Sequence, residues 1–482
     1  MNGGKKVWQR VAIATAVALV LFFVTAAALV IPIALNARSL IHDIKSEAPS
    51  AKARKDAAET DTALSRFFAI TNLPIIKQLI TADGLNFSHI EPELHGAINA
   101  APFLLGGQKP QTYLIAFQNP AEARGTGGIL GAYAIIQVSH GQISVLRTGS
   151  NAALQSLQQI PIKMPAEYQK LYGTDPAIWQ NSNLSPHLPY GAKIWMALWE
   201  KQYNQHLDGV IVVDPIFLSY ILNATQPITL SSGEQITAQN VVYKVLSEAY
   251  KKYASNNDAR KQYLVDILNA GLAKIKTGNY QKITLLQGLE RAIWENRLLI
   301  FSNDSRAENA IAETRLSGVM QTTPNNEYRA VVENIDASKL DYYLARTVTI
   351  RSLTCGLKRQ SKITVVLSNT VTNPQDLPAY VLTRADKNKP KNAVTGAHHF
   401  KLFIYGPTNS SLISASNSAT VGSAGGVTAE RNRPLLVTDI DLNPGESEAV
   451  IAAFEGGSGR ITFHDQPLVI PTALSISDHC RM

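Results

Sequence analysis

The sequence predicts a mixed α/β domain with flanking helices, followed by a C-terminal antiparallel β-sandwich and preceded by a single transmembrane helix. Three observations support this fold class. An uncharged apolar run covers Val11–Leu35, strand-like and helix-like segments alternate over residues 102–330, and short strand-like segments separated by turn residues fill residues 331–482. With 482 residues, of which 45% are hydrophobic, the chain can hold two or three domains.

The N-terminal apolar run is long enough to cross a bilayer. Val11–Leu35 contains no charged residue, and a helix rising about 1.5 Å per residue would span a hydrocarbon core of about 30 Å. A cleaved signal peptide is the alternative, although its apolar region is usually only about 7–15 residues long. We expect an uncleaved signal anchor at residues 11–35, with residues 1–10 in the cytoplasm and the C-terminal domains outside it.

The net charge of +8 belongs mainly to the N-terminus. Residues 1–55 hold eight Lys and Arg residues against two acids, a net of +6, which leaves +2 for the remaining chain. This distribution favours a membrane lipid bilayer as the partner and argues against nucleic acid. Residues 36–101 are predicted as a helical stalk or hairpin that Pro49 and Pro74 interrupt, and a spacer is more typical of such a segment than a binding helix.

The α/β domain, residues 102–330, is predicted from alternating periodicities. The predicted strands are Tyr113–Gln118, Ile129–Val138, Gln142–Arg147 and Gly209–Val213, and Ser139-His-Gly141 is a hairpin signal. The predicted helices are Ile194–Tyr203, Ile216–Ala224, Ala238–Tyr253 and Asp258–Lys276.

The β-sandwich domain, residues 331–482, is predicted from strand patterns between Pro, Asn, Gly and Ser turns. Its predicted strands are Tyr342–Ile350, Ser361–Ser368, His399–Tyr405, Leu435–Asp441 and Glu448–Phe454, and Asn409–Val427 is expected to be an exposed loop. Cys355 and Cys480 have no His or acidic neighbours at zinc spacing, so we expect them to form a disulfide.

The stretch from Tyr113 to Gly128 carries the candidate binding residues. It is typical of a buried strand running into a polar, glycine-rich loop, with the glycines letting the backbone turn and approach a ligand. Arg124 can supply a guanidinium to an anion beside backbone N–H groups, and its alternative role is an ion pair with Glu122. If it binds the anion, Arg124→Ala should keep the fold and lose the ligand. The loop candidates are Asn119, Glu122, Arg124, Thr126, Gly127 and Gly128.

This loop resembles the Asn-x-x-Glu-x-Arg-x-Thr-Gly-Gly motif of the bacterial family called domain of unknown function 4012. Weaker similarity extends over most of the chain beyond the anchor, including Leu207–Pro215 and Asp341–Leu344. The resemblance names a family without settling its chemistry.

A more distant resemblance is to the LytR-CpsA-Psr family, membrane-anchored enzymes that move glycopolymers from polyprenyl-pyrophosphate carriers onto the cell wall. Asp208–Asp214, Pro227–Leu230 and the segment Asp258-Ala-Arg-Lys-Gln262 carry it. The resemblance implies that Asp258, Arg260 and Lys261 lie near the pyrophosphate. The spacing of these residues on their helix is compressed compared with the family. Lys251-Lys252 stands where the family has an Arg pair, and lysine lacks the bidentate fork of arginine.

The sequence offers no metal site. The adjacent His398 and His399 would point to opposite faces of a strand. Asp214 precedes Pro215 and suits a helix N-cap better than a metal ligand, and Asp258 is likewise a candidate N-cap.

Two functions follow as hypotheses. The first is an extracytoplasmic cell-envelope protein that binds an anionic glycan or a polyprenyl-phosphate-linked precursor. The alternative is a phosphotransferase that attaches glycopolymers to the cell wall from polyprenyl-pyrophosphate carriers, and only this one calls for a divalent cation such as Mg²⁺. Whether the protein is an enzyme stays open at this point.

Overall fold

The computed structural model describes residues 32–45, 50–71, 91–276, 280–323, 325–356, 358–384, 394–417 and 426–480. The chain divides into two compact units: the first takes Met1–Gln111, Gln137–Ser144 and Ser302–Thr314, and the second takes the remaining residues. Most of the predicted transmembrane helix, residues 11–31, lies outside the described residues. None of the helices in the described ranges combines the length and the apolar character that a membrane crossing requires.

The first unit is mainly helical. Its helices cover residues 32–45, Ser50–Thr71, Glu91–Leu104 and Ser305–Ile311. Leu40 and Ile44 pack with Ala53 and Ala57 in a small core. Pro49 and Pro74, which were expected to interrupt this region, lie outside the described residues.

The first five-stranded sheet has the strand order β3-β2-β1-β4-β7. Its strands are β1 (Gln111–Arg124), β2 (Gly127–Ser139), β3 (Gln142–Ser150), β4 (Gly209–Val213) and β7 (Leu298–Ser302), while β5 (Ile228–Thr229) and β6 (Gln235–Ile236) pair separately. β1 and β4 run parallel, with Tyr113 opposite Gly209. The predicted hairpin between β2 and β3 is confirmed, because His140 and Gly141 turn the chain with φ of 50° and 71°.

The second unit also contains helices. They are Ala166–Tyr172, Leu188–Tyr203, Pro215–Ala224, Val241–Tyr243, Ala249–Lys252, Asn257–Lys276, Lys282–Trp294 and Ala379–Leu382, with a π-helical turn at Lys244–Glu248. The helix Leu188–Tyr203 buries Trp195, Leu198 and Trp199, whose spacing of three and four residues places them on one face. That face packs in the core that contains Leu114 and Val210 of the sheet.

Two further five-stranded sheets occupy the C-terminal half, in the orders β12-β15-β10-β9-β17 and β13-β14-β11-β8-β16. Their strands are β8 (Glu327–Asn334), β9 (Leu344–Thr354), β10 (Gln360–Asn369), β11 (His398–Tyr405), β12 (Ser410–Asn417), β13 (Gly426–Glu430), β14 (Arg433–Leu442), β15 (Ser447–Gly456), β16 (Thr462–Phe463) and β17 (Ala473–Ser477). Val332, Val348, Val365, Leu402 and Phe454 from both sheets share one hydrophobic core.

The expectation of purely antiparallel sheets is wrong at two edges. β16 runs parallel to β8, and β17 runs parallel to β9. A parallel partner needs a connection longer than a tight turn, and local turn signals do not reveal it. The three sheets therefore make a mixed α/β protein with mixed strand directions.

The segment Asn409–Val427, expected to be a loop, contains β12 and the start of β13. Serine-rich β12 is a strand because its backbone pairs with β15, from Ser410 opposite Gly456 to Asn417 opposite Val450. Cys355 and Cys480, the pair expected from the sequence, form a disulfide with their Cα atoms 5.4 Å apart. The bond joins the end of β9 to the residues after β17.

Candidate anion-binding site

The polar segment at the end of β1 is a buried strand and not the predicted loop. β1 continues through Asn119 to Arg124, and only Gly125 and Thr126 separate it from β2. A Cβ on Gly125 would lie 2.0 Å from the carbonyl oxygen of Leu184, and one on Gly128 would lie 2.1 Å from that of Asn119. These glycines therefore allow close approach of the protein's own backbone, where the sequence predicted approach to a ligand.

Several of the predicted residues hold this turn together. Thr126 accepts hydrogen bonds at its Oγ1 from Gln118 Nε2 and from Asn183 Nδ2, each at 2.7 Å. The backbone N–H of Gly128 donates to Gln118 Oε1 at 3.1 Å. Gly127 has a φ of +135°, which favours glycine. Thr126, Gly127 and Gly128 thus have partners or conformations that serve the strand connection.

Arg124 is the centre of a buried polar network. Its Nη2 donates to Glu122 Oε1 at 3.1 Å and to Asn181 Oδ1 at 2.9 Å. Its Nη1 donates to the carbonyl oxygens of Ala123 at 2.8 Å and Asn334 at 3.0 Å. With a relative exposure of 5%, Arg124 joins the end of β1 to its neighbours, and the alternative role of an ion pair with Glu122 is present.

Lys339 extends this network on the other side of Glu122. Its Nζ donates to Glu122 Oε2 at 2.5 Å and to the carbonyl oxygen of Ala337 at 3.0 Å. Burial lowers the pKa of Lys339, but Glu122 and the nearby hydroxyls of Tyr250 and Tyr380 outweigh it and the pKa is raised overall. Lys339 is therefore charged at neutral pH.

Arg260 joins the same network through two tyrosines. Its guanidinium carbon lies 4.7 Å from the ring centroid of Tyr250 and 4.8 Å from that of Tyr380, while Lys339 Nζ lies 5.2 Å from the Tyr380 ring. Arg260 Nη2 donates to Tyr380 Oη at 3.3 Å and to Asn257 Oδ1 at 2.5 Å. The Tyr250 hydroxyl accepts from Asn119 Nδ2 at 2.7 Å, which closes the connection to β1.

We call Glu122, Arg124, Arg260 and Lys339, with Tyr250 and Tyr380, the cationic cluster. Three positive side chains and one carboxylate give the four charged members a formal sum of +2. Tyr250 is buried, whereas 40% of Tyr380 is exposed, so the cluster meets solvent at Tyr380. An excess of positive charge beside a solvent-facing aromatic ring suits an anion.

Lys261 and Asp258 flank the cluster on the helix Asn257–Lys276. Partial burial lowers the pKa of Lys261, and the charge of Arg260 lowers it further, while Asp258 acts in the opposite direction. Asp258 is exposed and does not cap the helix as expected, since Asn256 Oδ1 accepts the N–H of Ala259 at 2.9 Å. The structure thus brings Asn119, Glu122, Arg124, Arg260 and Lys261 into one region.

Three members of this region were missed from the sequence. Lys339, Tyr250 and Tyr380 lie far apart along the chain, in segments with helix or turn patterns. The available signal was the position of Lys339, just before Asp341–Leu344, one of the segments with weaker similarity to the family. Without contacts, nothing in the sequence connected it to Glu122.

The acids that bracket β4 have structural roles. Asp214 Oδ1 accepts the N–H of Phe217 at 2.7 Å, so the expected helix N-cap is confirmed, and its Oδ2 pairs with buried Arg297 at 2.7 Å. Asp208 Oδ2 accepts the N–H of Thr112 at 2.8 Å. Among the described residues, no three or more His, Cys, Asp and Glu side chains form a group that could hold a metal ion.

Fold and site together define a mixed α/β protein in which the end of a buried strand supports a cationic cluster. Residues 108–250 match the family model described as protein of unknown function, DUF4012, which confirms the resemblance seen in the Asn119–Gly128 segment. The match contains Asn119, Glu122, Arg124 and Tyr250 but ends before Arg260, and it is narrower than the resemblance expected over most of the chain. Comparison with curated proteins gives no match.

The resemblance to LytR-CpsA-Psr enzymes is not supported by these comparisons and stays a prediction.

Proposed function

We propose that this protein binds a phosphate-bearing anion at the cationic cluster. The observation that carries the proposal is the meeting of Arg260 and Lys339 at the ring of Tyr380, with only Glu122 as a carboxylate inside the cluster. Burial and, after it, the charge of Arg260 lower the pKa of Lys261, and a bound anion would offset both effects. Arg124 has a supporting role, since it fixes Glu122 and thereby Lys339.

The ligand class we propose is an anionic glycan or a polyprenyl-phosphate-linked precursor. A guanidinium can hold two phosphate oxygens at once, and an ammonium adds a compact point charge beside it. Tyr380 lies next to both cations and is 40% exposed, so it can contact the non-phosphate part of such a ligand. No observation favours polymer transfer over binding, so the phosphotransferase function stays a prediction.

Calorimetric titration of the full chain with inorganic pyrophosphate tests this function. We expect Arg260→Gln and Lys261→Gln each to weaken binding about tenfold, because each removes one charge-assisted contact. The matched control is Lys282→Gln, which removes an exposed lysine at the start of the helix Lys282–Trp294. Equal affinities in all four proteins would overturn the proposal, as would an equal loss in the control. Unfolding curves check that each variant is folded.

The proposed location is the outer side of a membrane, with Val11–Leu35 as the anchor. The uncharged run flanked by basic residues supports this location, and a Cys355–Cys480 disulfide is compatible with an oxidising compartment. Protease treatment of intact cells should digest the chain beyond about residue 40. Protection until lysis would contradict the orientation, and a mature N-terminus near residue 30 would contradict the anchor.

A further inference from the structure

A second cationic feature lies on the solvent face of the β12-β15-β10-β9-β17 sheet. A shallow groove of about 240 Å³ runs across β9 and β10 and is lined by Thr349, Arg351, Lys362 and Thr364. Along both strands the alternate residues Val348, Ile350, Ile363 and Val365 are buried in the core. Because side chains alternate across a strand, the four lining residues face away from that core.

The register places the two cations side by side. Arg351 is directly opposite Lys362, and Thr349 is directly opposite Thr364. Like charges at opposed positions of an antiparallel pair repel each other and destabilise the pairing. In the described part of the chain, neither cation has a carboxylate within ion-pair distance.

The positions next to this pair are neutral. Ala453 of β15 is opposite Lys362 on its other side, and Ser477 of β17 is opposite Arg351. Ser475 of β17 lies beside Thr349, so hydroxyl groups flank Arg351 and fill the next row of the sheet. Hydroxyls can donate to the same oxyanion that two cations neutralise.

We propose that this groove is an oxyanion-binding site on the outer sheet face, separate from the cationic cluster. The ligand class is a phosphate or carboxylate group on a hydroxyl-rich molecule such as an acidic sugar. Arg351 supplies a planar fork and Lys362 a point charge from the opposite strand, and Thr349 and Thr364 donate from the next row of the sheet. The bound anion offsets the repulsion between the two cations.

The test uses the full chain carrying Arg260→Gln, so that anion binding at the cationic cluster is weakened and binding at the groove can be observed. Inorganic phosphate and galacturonic acid are titrated separately at low ionic strength, and the methyl resonances of Thr349 and Thr364 are followed. We expect these resonances to shift with one of the two probes, which identifies the source of the oxyanion. Adding Arg351→Gln and Lys362→Gln together should weaken that binding at least about tenfold.

The matched control is Lys358→Gln, which removes an exposed cation from the turn between the same two strands. It should leave the affinity within about twofold, because long-range charge alone is screened by salt. Failure of both probes to shift the threonine methyls overturns the proposal. So does a loss of binding in Lys358→Gln equal to that in the double variant. Repeating the titration in the chain with native Arg260 should give the same threonine shifts, and their disappearance would also contradict a separate site.

Discussion

Arg124 has the side chain and the motif of an anion-binding residue, but burial gives it a structural role. Its guanidinium is saturated by Glu122, Asn181 and two backbone carbonyls. The sequence alone left two roles open, an ion pair or an anion ligand, and the contacts correspond to the first. Anion binding by Arg124 itself stays a prediction, whereas Arg260 contacts the partly exposed Tyr380 and Lys261 lies near Arg260.

Arg124→Ala should therefore destabilise the protein, the reverse of the expectation from the sequence. The substitution leaves the buried carboxylate of Glu122 with Lys339 as its remaining cation and deprives Asn181 and Asn334 of a donor. Breaking a buried pair costs about 3–5 kcal/mol of unfolding free energy. Urea denaturation measures it, with exposed Lys282→Gln as the control. A loss below about 1 kcal/mol would contradict a structural role.

Glu333 is a buried carboxyl group that makes stability depend on pH. Its Oε1 has no hydrogen-bond partner among the described residues, and Lys401, opposite it on β11, pairs with Asp439 instead. Burial raises the pKa of Glu333 well above its usual 4.5, more than nearby Arg124 lowers it.

The sign of this dependence follows from proton binding. The folded state holds the Glu333 proton more tightly than the unfolded state, so its stabilising contribution is complete below about pH 4.5 and is lost as pH rises through the folded pKa. Glu333→Gln stays neutral, so its unfolding free energy should fall less between pH 5 and about pH 8, with a gain of about 1–3 kcal/mol at the upper end. Denaturant titrations across this range measure how the unfolding free energy of the native protein and of Glu333→Gln changes with pH. Parallel curves for the two proteins would exclude the effect.

At the scale of elements, apolar runs and apolar periodicity in the sequence identified several strands and helices. β4 matches its prediction at both ends, and the helix over Leu188–Tyr203 contains the predicted Ile194–Tyr203. The end of β1 was misjudged because Asn119, Glu122 and Arg124 are polar yet buried. Polar residues indicate a loop unless their buried partners, here Asn181, Lys339 and Tyr250, are known.

β17 depends on the disulfide that follows it. The strand pairs with the edge of β9, and Cys480 is bonded to Cys355 at the end of that same strand. The bond closes a loop with a sequence separation of 125 residues, and a native disulfide typically stabilises the folded state by about 2–4 kcal/mol. Reduction should lower the unfolding free energy by that amount and speed amide exchange in Ala473–Ser477. The Cys355→Ser, Cys480→Ser double variant should not respond to reductant, and unchanged exchange after reduction of the native protein would refute the dependence.

At the scale of the whole molecule, the sequence predicted the fold class more completely than the site. Mixed α/β organisation and a β-rich C-terminal half follow from local patterns, while the parallel edge strands β16 and β17 depend on long-range pairing. Glu122 and Arg260 belong to separate sequence motifs, and the structure connects them through Lys339 and Tyr380. No local sequence pattern reveals these contacts, because they form only when segments far apart in the chain pack together.

The pKa of Lys261 provides the most direct measurement of anion binding at the cationic cluster. In the free protein, partial burial and the charge of Arg260 hold the pKa of Lys261 below its usual 10.5. A bound pyrophosphate would add negative charge beside both cations, so the pKa of Lys261 should rise on saturation. NMR titration of the labelled lysine side chain, with Lys282 as the internal reference, measures this shift. We predict an increase at Lys261 and none at Lys282; an unchanged pKa at Lys261 under saturating pyrophosphate would contradict anion binding at the cluster.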